Sequence, residues 1–334
     1  MYESFYKFTG KPFQLLPDAN IIFPSSSHKR ALSYLLYGIE QGEGFIAITG
    51  DVGTGKTTLI QTLFSQIKGD EIVAINIAAA NLDDVAIIHS ISEALNLRLD
   101  GKSKVLIIRE LKKYFHSISN QNKRVLIVVD EAQTLSWEAL EELRILSNLE
   151  SGGKALLQVF LVGQTELRNI IHSKNVEQLR QRIIASYNLT HLSKSETKDY
   201  IKYRLEKVGW EHNPSISEDI FLTIHDWSEG TPRKINLICD RLFLLGYLEK
   251  LSSLELEHLE RVITEMDDEI DDGQDAVPKD SQPVKMKKRI SNRNQDDLEG
   301  RVEDLEDKLE QLRHDFDYER KLVKLLVKNI DFDD

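Results

Sequence analysis

Residues 45–62 read FIAITGDVGTGKTTLIQT, and this stretch decides the fold. The apolar run 45–49 predicts a short buried strand, and the residues from Thr58 onward have the apolar spacing of a helix. Between them, residues 50–57 match the pattern G-x-x-x-x-G-K-T. A strand, this loop and a helix, in that order, form the context that a phosphate-binding loop requires, and a chance glycine-rich turn would not explain all three. We therefore predict a nucleotide-binding site.

The residue types in the loop suit triphosphate chemistry. Phosphate oxygens need many donors, which the backbone N–H groups of a tight loop and of the following helix N-terminus supply. Glycines let the backbone approach the phosphates without an intervening Cβ atom. We expect Lys56 to neutralise the β- and γ-phosphates of ATP and the Thr57 hydroxyl to bind Mg²⁺. The predicted nucleotide-binding residues are Gly50, Asp51, Val52, Gly53, Thr54, Gly55, Lys56, Thr57 and Thr58.

A second nucleotide signature lies at residues 124–131, RVLIVVDE, an apolar strand that ends in two carboxylates. We expect Asp130 to belong to the Mg²⁺ shell and Glu131 to polarise the attacking water. Alternatively, two acids after a strand could simply cap a helix, because negative charge is favoured at a helix N-terminus. The phosphate-binding loop upstream favours the catalytic interpretation.

Further candidates for the same site lie downstream. Gln164 ends the apolar run 156–163 and could lie beside the γ-phosphate, although a strand end can equally carry an ordinary polar residue. Arg182, with Arg180 as the second choice, could reach the nucleotide of a neighbouring subunit as an arginine finger. Most arginines on helices are solvated, so spacing alone does not establish this role.

The segment Gly230-Thr-Pro-Arg233 predicts the start of a helix with proline in its first turn. A cation is disfavoured at a helix N-terminus. Arg233 at this position therefore indicates an anionic partner, for which the γ-phosphate is one candidate. A solvated surface arginine is the alternative.

The second half of the chain is helical by pattern, and a capping box S-x-x-E at residues 193–196 opens it. The predicted helices there cover residues 193–207, 217–229, 233–248 and 255–266. Residues 268–297 combine two prolines, few large apolar groups and both signs of charge, which predicts a disordered linker. Residues 298–330 carry an apolar heptad that only Glu319 breaks, which predicts a coiled coil or partner helix.

The N-terminal residues 1–44 contain an aromatic- and proline-rich arm and then a helix-like stretch from Ser27 to Glu40. The arm could cover the adenine of a nucleotide, or it could pack over the sheet edge. His28, after the N-cap serines, is interpreted as a surface or capping residue rather than a catalyst.

Composition limits the class of protein. The chain has 334 residues, 41% of them hydrophobic, and a net charge of −12 that argues against DNA binding. One cysteine, Cys239, excludes an intramolecular disulfide and fits a reducing compartment. The first residues lack the apolar segment of a signal peptide, and no run approaches the ~20 apolar residues of a membrane span. We therefore expect a cytoplasmic protein.

Six motifs occur in order along the chain: ITGDVGTGKT, VVDEAQ, ALEELRILSNLE, LLQVFLVGQTEL, EQLRQRI and GTPRKIN. This ordered set resembles the AAA+ ATPases of the ExeA (general secretion pathway protein A) type. The opening MYESFYKFTGKPFQLLPD, with YGIEQGEGFIAITG, is similar to the secretion ATPase subfamily associated with the exosortase/PEP-CTERM system and with exopolysaccharide loci. The resemblance ends near residue 267, before the predicted linker.

The resemblance implies an α/β fold of the P-loop AAA+ type, a parallel five-stranded sheet sandwiched by helices and followed by a helical lid. It divides the chain into a nucleotide-binding domain at 1–192 and a lid at 193–267. It places Gln164 at sensor 1, Arg182 at the arginine finger and Arg233 at sensor 2. Gln164 departs from the Asn, Ser or Thr that is common at sensor 1.

The same resemblance implies function. It suggests a homo-oligomer, a ring or filament, whose ATP hydrolysis drives assembly or remodelling in secretion or exopolysaccharide export. The predicted coiled coil would bind a protein partner, with the inner membrane as one location for it. Two alternatives remain open at this point: an ATP-dependent DNA-binding regulator resembling the transposition ATPases TniB and TnsC, and a scaffold that uses nucleotide only to control assembly.

Overall fold

The computed structural model of the protein describes residues 1–16, 21–67, 69, 71–97, 99 and 101–274. All of these residues fall within one compact unit, Met1–Asp275. The predicted coiled coil at 298–330 and most of the predicted linker at 268–297 lie outside the described residues. Within those residues, no helix is both long enough and apolar enough to cross a bilayer.

The central sheet is parallel and has the strand order β2-β3-β6-β1-β7. Its strands are β1 (Phe45–Gly50), β2 (Ile72–Ala78), β3 (Arg124–Asp130), β6 (Leu157–Gly163) and β7 (Ile183–Leu189); shorter pairs join β4 (Glu150–Ser151) to β5 (Lys154–Ala155) and β8 (Ser215–Ile216) to β9 (Ser253–Leu254). In register, Thr49 pairs with Gly163 and Ala78 pairs with Asp130. The carboxyl ends of β1, β3 and β6 therefore meet at one edge of the sheet, where ligands bind in open α/β sheets.

Helices cover both faces of the sheet. The α-helices in the described residues are α1 (Tyr2–Phe5), α2 (Ser26–Gln41), α3 (Lys56–Gln66), α4 (Asp84–Ala94), α5 (Lys104–Ser119), α6 (Trp137–Ser147), α7 (Glu166–His172), α8 (Glu177–Arg180), α9 (Lys194–Lys207), α10 (Glu218–Ser228), α11 (Pro232–Leu248) and α12 (Leu256–Gln274). Phe45 and Ala47 of β1 pack into the core beneath α4, α5 and α6. Ile46 and Ile48 point the other way, toward α2 and α3. Burial on both faces explains the continuous apolar strands, and the predicted helix-covered parallel sheet is confirmed.

A third core joins the four long C-terminal helices α9 to α12. The predicted capping box opens α9, because the Ser193 side chain accepts from the Glu196 backbone and the Glu196 side chain accepts from the Ser193 backbone. The last helix continues to Gln274, beyond the predicted end at Met266. Met266 packs in the core of these helices, and Arg241 donates twice to Glu269 at 2.7 Å. These contacts extend α12 into the first residues assigned to the linker.

The aromatic arm packs against the C-terminal helices. Four arm rings, those of Tyr2, Tyr6, Phe8 and Phe13, each lie between 5.7 and 5.9 Å from the ring of Phe243 in α11, centroid to centroid. The arm therefore shares its core with the lid and does not pack over the sheet edge, which was one of the two expectations. The sequence could not show this, because the ring of Phe243 lies more than 200 residues away along the chain.

Candidate functional site

The glycine-rich loop connects β1 to α3 at the carboxyl edge of the sheet. Gly53 and Gly55 have φ of 84° and 96°, in the left-handed region that favours glycine. A Cβ atom on Gly55 would lie 2.7 Å from Nε2 of His28, and one on Gly53 would lie 2.7 Å from Cβ of Arg233. Both glycines are therefore required by backbone conformation and by their neighbours.

Lys56 is buried at the first position of α3. Its Nζ donates to the carbonyl of Gly50 at 2.8 Å and to that of Asp51 at 3.0 Å. Burial lowers the pKa of Lys56, and the nearby carboxylates of Glu131 and Asp130 oppose that shift. An ammonium has three N–H donors, so one remains for a phosphate oxygen.

Thr57 and Asp130 meet beside Lys56, where the threonine Oγ1 donates to Oδ2 of Asp130 at 3.3 Å. Asp130 is buried, and burial raises its pKa against the hydrogen bonds from the Glu131 N–H and Thr57. Hydroxyl and carboxylate oxygens are ligands that Mg²⁺ prefers. Among the described residues, no group of three or more His, Cys, Asp or Glu side chains could hold a metal ion. The pair therefore suits a magnesium ion that is also held by nucleotide phosphates.

Glu131 follows β3 with φ of 55° and lines a cavity together with residues of the loop. Its Oε2 accepts from Nε2 of Gln133 at 2.6 Å and from Nε2 of Gln164 at 3.1 Å. Burial raises the pKa of Glu131, but these two amides and the charge of Lys56 outweigh burial and lower it. Sequence reasoning placed Gln164 near this point. It missed Gln133, although the run DEAQ placed a second amide two residues after Glu131.

The lid contacts the loop directly. The backbone N–H of Arg233 donates to the carbonyl of Gly53 at 3.3 Å, and the exposed Arg233 side chain lines the same cavity. A second link runs through His191, whose Nε2 is 3.0 Å from Oδ2 of Asp51 and whose Nδ1 is 2.9 Å from the carbonyl of Glu229. Because both neighbours are acceptors, the ring donates to both only when it is doubly protonated.

A cavity of about 510 Å³ lies between the loop, the arm and the lid. Its lining includes seven of the nine predicted loop residues, whereas Gly50 and Asp51 are not part of it. The other walls come from the arm, from His28 of α2, from Glu131 and from the C-terminal part of the chain, namely Gln14, Leu15, Leu16, Ile21, Ile22, Phe23, Leu192, Tyr200, Arg204, Pro232, Arg233 and Asn236. The cavity falls within the usual size range of ligand sites, roughly 300–1,000 Å³. Arm residues line this cavity, and the other expectation for the arm, that it covers the base of a nucleotide, stays a prediction.

Arg182 lies at the other end of the sheet from the loop. It immediately precedes β7, and its carbonyl accepts from the N–H of Phe45, the first residue of β1, at 2.9 Å. Its side chain is exposed and does not line the cavity. Arg180 is also exposed, lies 3.5 Å from Glu177 and lines a separate cavity of about 400 Å³. The structure thus brings neither arginine to the loop of its own subunit.

Comparison with known proteins places the glycine loop and the β3 carboxylates inside a known domain family. Residues 39–171 match the family described as AAA domain. The chain is 36% identical over 249 residues to "General secretion pathway protein A" of Aeromonas hydrophila, across 74% of this chain and 45% of that protein. The chain thus spans less than half the length of this relative.

Two solved structures share the fold. The Aeropyrum pernix ORC1 protein in complex with DNA has a TM-score of 0.58 at 18% identity, across 80% of this chain and 72% of that chain. The Aeropyrum pernix ORC2 protein, described as ADPNP-ADP complexes, has a TM-score of 0.55 at 18% identity, across 72% and 68%. At this identity the likeness concerns the fold alone.

Fold, loop and family match together define the class: residues 39–171 form an AAA domain with the P-loop fold. Within that class, the chain is a relative of general secretion pathway protein A. The resemblance inferred from the six motifs is supported to this extent, and the exosortase/PEP-CTERM subfamily remains a prediction.

Proposed function

We propose that the protein binds ATP with Mg²⁺ in this cavity, hydrolyses it, and uses the cycle to drive assembly or remodelling in a secretion system. The observation that carries the proposal is the convergence of Lys56, Thr57, Asp130 and Glu131 at one edge of the sheet. Lys56 suits a triphosphate, Thr57 and Asp130 suit a magnesium ion, and Glu131 suits an attacking water.

The residues of the chain would divide the chemistry as follows. Loop N–H groups and Lys56 hold the phosphates, while Thr57 and Asp130 hold Mg²⁺, which offsets negative charge on the phosphates when bound. Glu131 accepts the proton of the attacking water. Gln164 orients Glu131. Arg233 binds the γ-phosphate, so that the position of α11 depends on whether this phosphate is present.

We further propose that the active unit is a homo-oligomer in which Arg182 of one copy completes the site of the next. The support is geometric, because Arg182 is exposed and lies at the opposite end of the sheet from the loop of its own copy. Arg180 is the second choice. An arginine finger supplied in trans typically accelerates hydrolysis by roughly 10³–10⁵.

A mixing experiment tests the finger. Arg182→Ala keeps an intact pocket, and Lys56→Ala keeps an intact finger, so we expect each variant alone to be inactive and their mixture to recover phosphate release. Arg180→Ala is the matched control and should retain activity alone. A mixture as inactive as either variant alone would refute an arginine finger at Arg182. Loss of activity in Arg180→Ala would instead assign the finger to Arg180.

The secretion role rests on the similarity to general secretion pathway protein A. We propose exopolysaccharide export as its more specific form, from the motifs of the opening residues, with a partner bound through residues 298–330, peripheral to the inner membrane. The net charge of −12 does not favour the DNA-binding alternative.

The partner proteins on which the ATPase acts can be identified with a variant that binds ATP but hydrolyses it slowly. Full-length Glu131→Gln protein with ATP and Mg²⁺ should retain its partners during purification, and Lys56→Ala protein provides the nucleotide-free control. We expect components of secretion or polymer export among proteins enriched over that control. Enrichment of DNA or of DNA-binding proteins instead would contradict the secretion role.

A further inference from the structure

Gln133 uses both ends of its side-chain amide inside the candidate site. Its Nε2 donates to Oε2 of Glu131 at 2.6 Å, and its Oε1 accepts from the backbone N–H of Gln164 at 2.9 Å. This single side chain therefore connects the carboxylate after β3 to the backbone after β6. None of its bonds reaches the loop.

The glycine at position 163 leaves room for the Gln133 amide. A Cβ atom on Gly163 would lie 2.6 Å from Oε1 of Gln133, closer than atoms of this kind approach. The backbone that carries Gln133 is held separately, because Oγ1 of Thr134 donates to the carbonyls of Ala79 at 2.6 Å and Glu131 at 2.9 Å. The amide contacts can therefore change without loss of the local fold.

The two donors act on the same oxygen of Glu131. Gln164 donates to Oε2 as Gln133 does, at 3.1 Å, and no described residue makes a hydrogen bond to Oε1. A carboxylate whose one oxygen is fixed by two N–H donors has a defined plane. Its other oxygen keeps its lone pairs for a water molecule.

We propose that Gln133 is a positioning residue for ATP hydrolysis, one that fixes Oε2 of Glu131 so that Oε1 accepts the proton of the attacking water. This inference rests on the proposed function, in which Glu131 activates that water. Gln133 would act only through Glu131 and would contribute nothing to nucleotide affinity. Partners that orient metal ligands through hydrogen bonds typically change activity by about 10–100-fold when replaced, and we expect an effect of that size here.

The test is a double-mutant cycle on the full-length protein. Gln133→Leu should lower kcat for phosphate release by about 10–100-fold and leave the Kd for ATP unchanged. In the Glu131→Gln background the same change should leave the residual rate unaltered, because the group it positions is already lost. Gln121→Leu, at an exposed position after α5, is the matched control and should behave as the wild type.

A second variant displaces the amide without removing it. In Gly163→Ala the added Cβ would lie 2.6 Å from Oε1 of Gln133, and also 3.1 Å from Cδ2 of Leu167 and 3.2 Å from the backbone nitrogen of Gln133. We expect it to reproduce the loss of kcat with an unchanged Kd, and thermal unfolding checks that the variant keeps the wild-type fold. If Gln133→Leu is unstable in thermal unfolding and Gly163→Ala is not, the kcat of Gly163→Ala tests the positioning role of Gln133.

The outcomes distinguish failure of the role proposed for Gln133 from failure of the role proposed for Glu131. Wild-type kcat in Gln133→Leu, a raised Kd for ATP, or losses that multiply in the double variant would each overturn the role of Gln133. Full activity in Glu131→Gln alone would instead overturn the assignment of the base, and with it the proposed function.

Discussion

Lys56→Ala is expected to abolish ATP binding. Lys56 provides the only buried ammonium among the described residues, and it lies at the end of the glycine loop, at the first position of α3. Charge-assisted hydrogen bonds are each worth about 1.5–3 kcal/mol. The loss of one such bond, together with its charge, should weaken binding by about 100-fold or more. Titration of a fluorescent ATP analogue in magnesium buffer measures the change.

The variant needs a structural control, because Lys56 also donates to the loop carbonyls of Gly50 and Asp51. Lys112→Ala removes an exposed lysine of α5 and should bind ATP normally. Thermal unfolding without nucleotide should show that Lys56→Ala protein still folds. Wild-type ATP affinity in the folded variant would contradict a triphosphate at this loop.

Glu131→Gln is expected to bind ATP with near wild-type affinity and to hydrolyse it about 10²–10⁴-fold more slowly. An amide cannot accept the proton of the attacking water. Its oxygen can still occupy the position of Oε2 and accept from Gln133 and Gln164, so the fold of the site is kept. Single-turnover phosphate release measures the rate. Size-exclusion chromatography in the presence of ATP should show that the oligomer accumulates.

Glu138→Gln, a change of the same kind in the first turn of α6, controls for the loss of one negative charge. It should hydrolyse ATP at the wild-type rate. Rapid turnover by Glu131→Gln would show that another group activates the water.

The local parts of the site were predictable because each is encoded in consecutive residues. Strand β1, its loop and α3 form one continuous motif, and Asp130 and Glu131 end a strand that is apolar from Val125 onward. The parallel sheet was predicted from the resemblance of the six motifs. The capping box at 193–196 was similarly local.

The contacts across the site were not predictable from the sequence. Gln133 and Gln164 meet at Glu131 because β6 pairs directly with β3, a register that no single segment encodes. The clustering of the arm rings around Phe243 likewise depends on tertiary packing. In both places the sequence indicated polar or aromatic residues without showing what they would contact.

The packing of the arm has a mechanical consequence. Residues 14–16 and 21–23 form one end of the cavity and adjoin an aromatic core shared with α11, whereas the glycine loop belongs to the sheet. A molecule that fills the cavity therefore contacts at once the loop that joins β1 to α3 of the sheet core and side chains of the core of α9 to α12. Loss of the group that binds the glycine loop would remove the contacts with the loop and keep those with the core of α9 to α12.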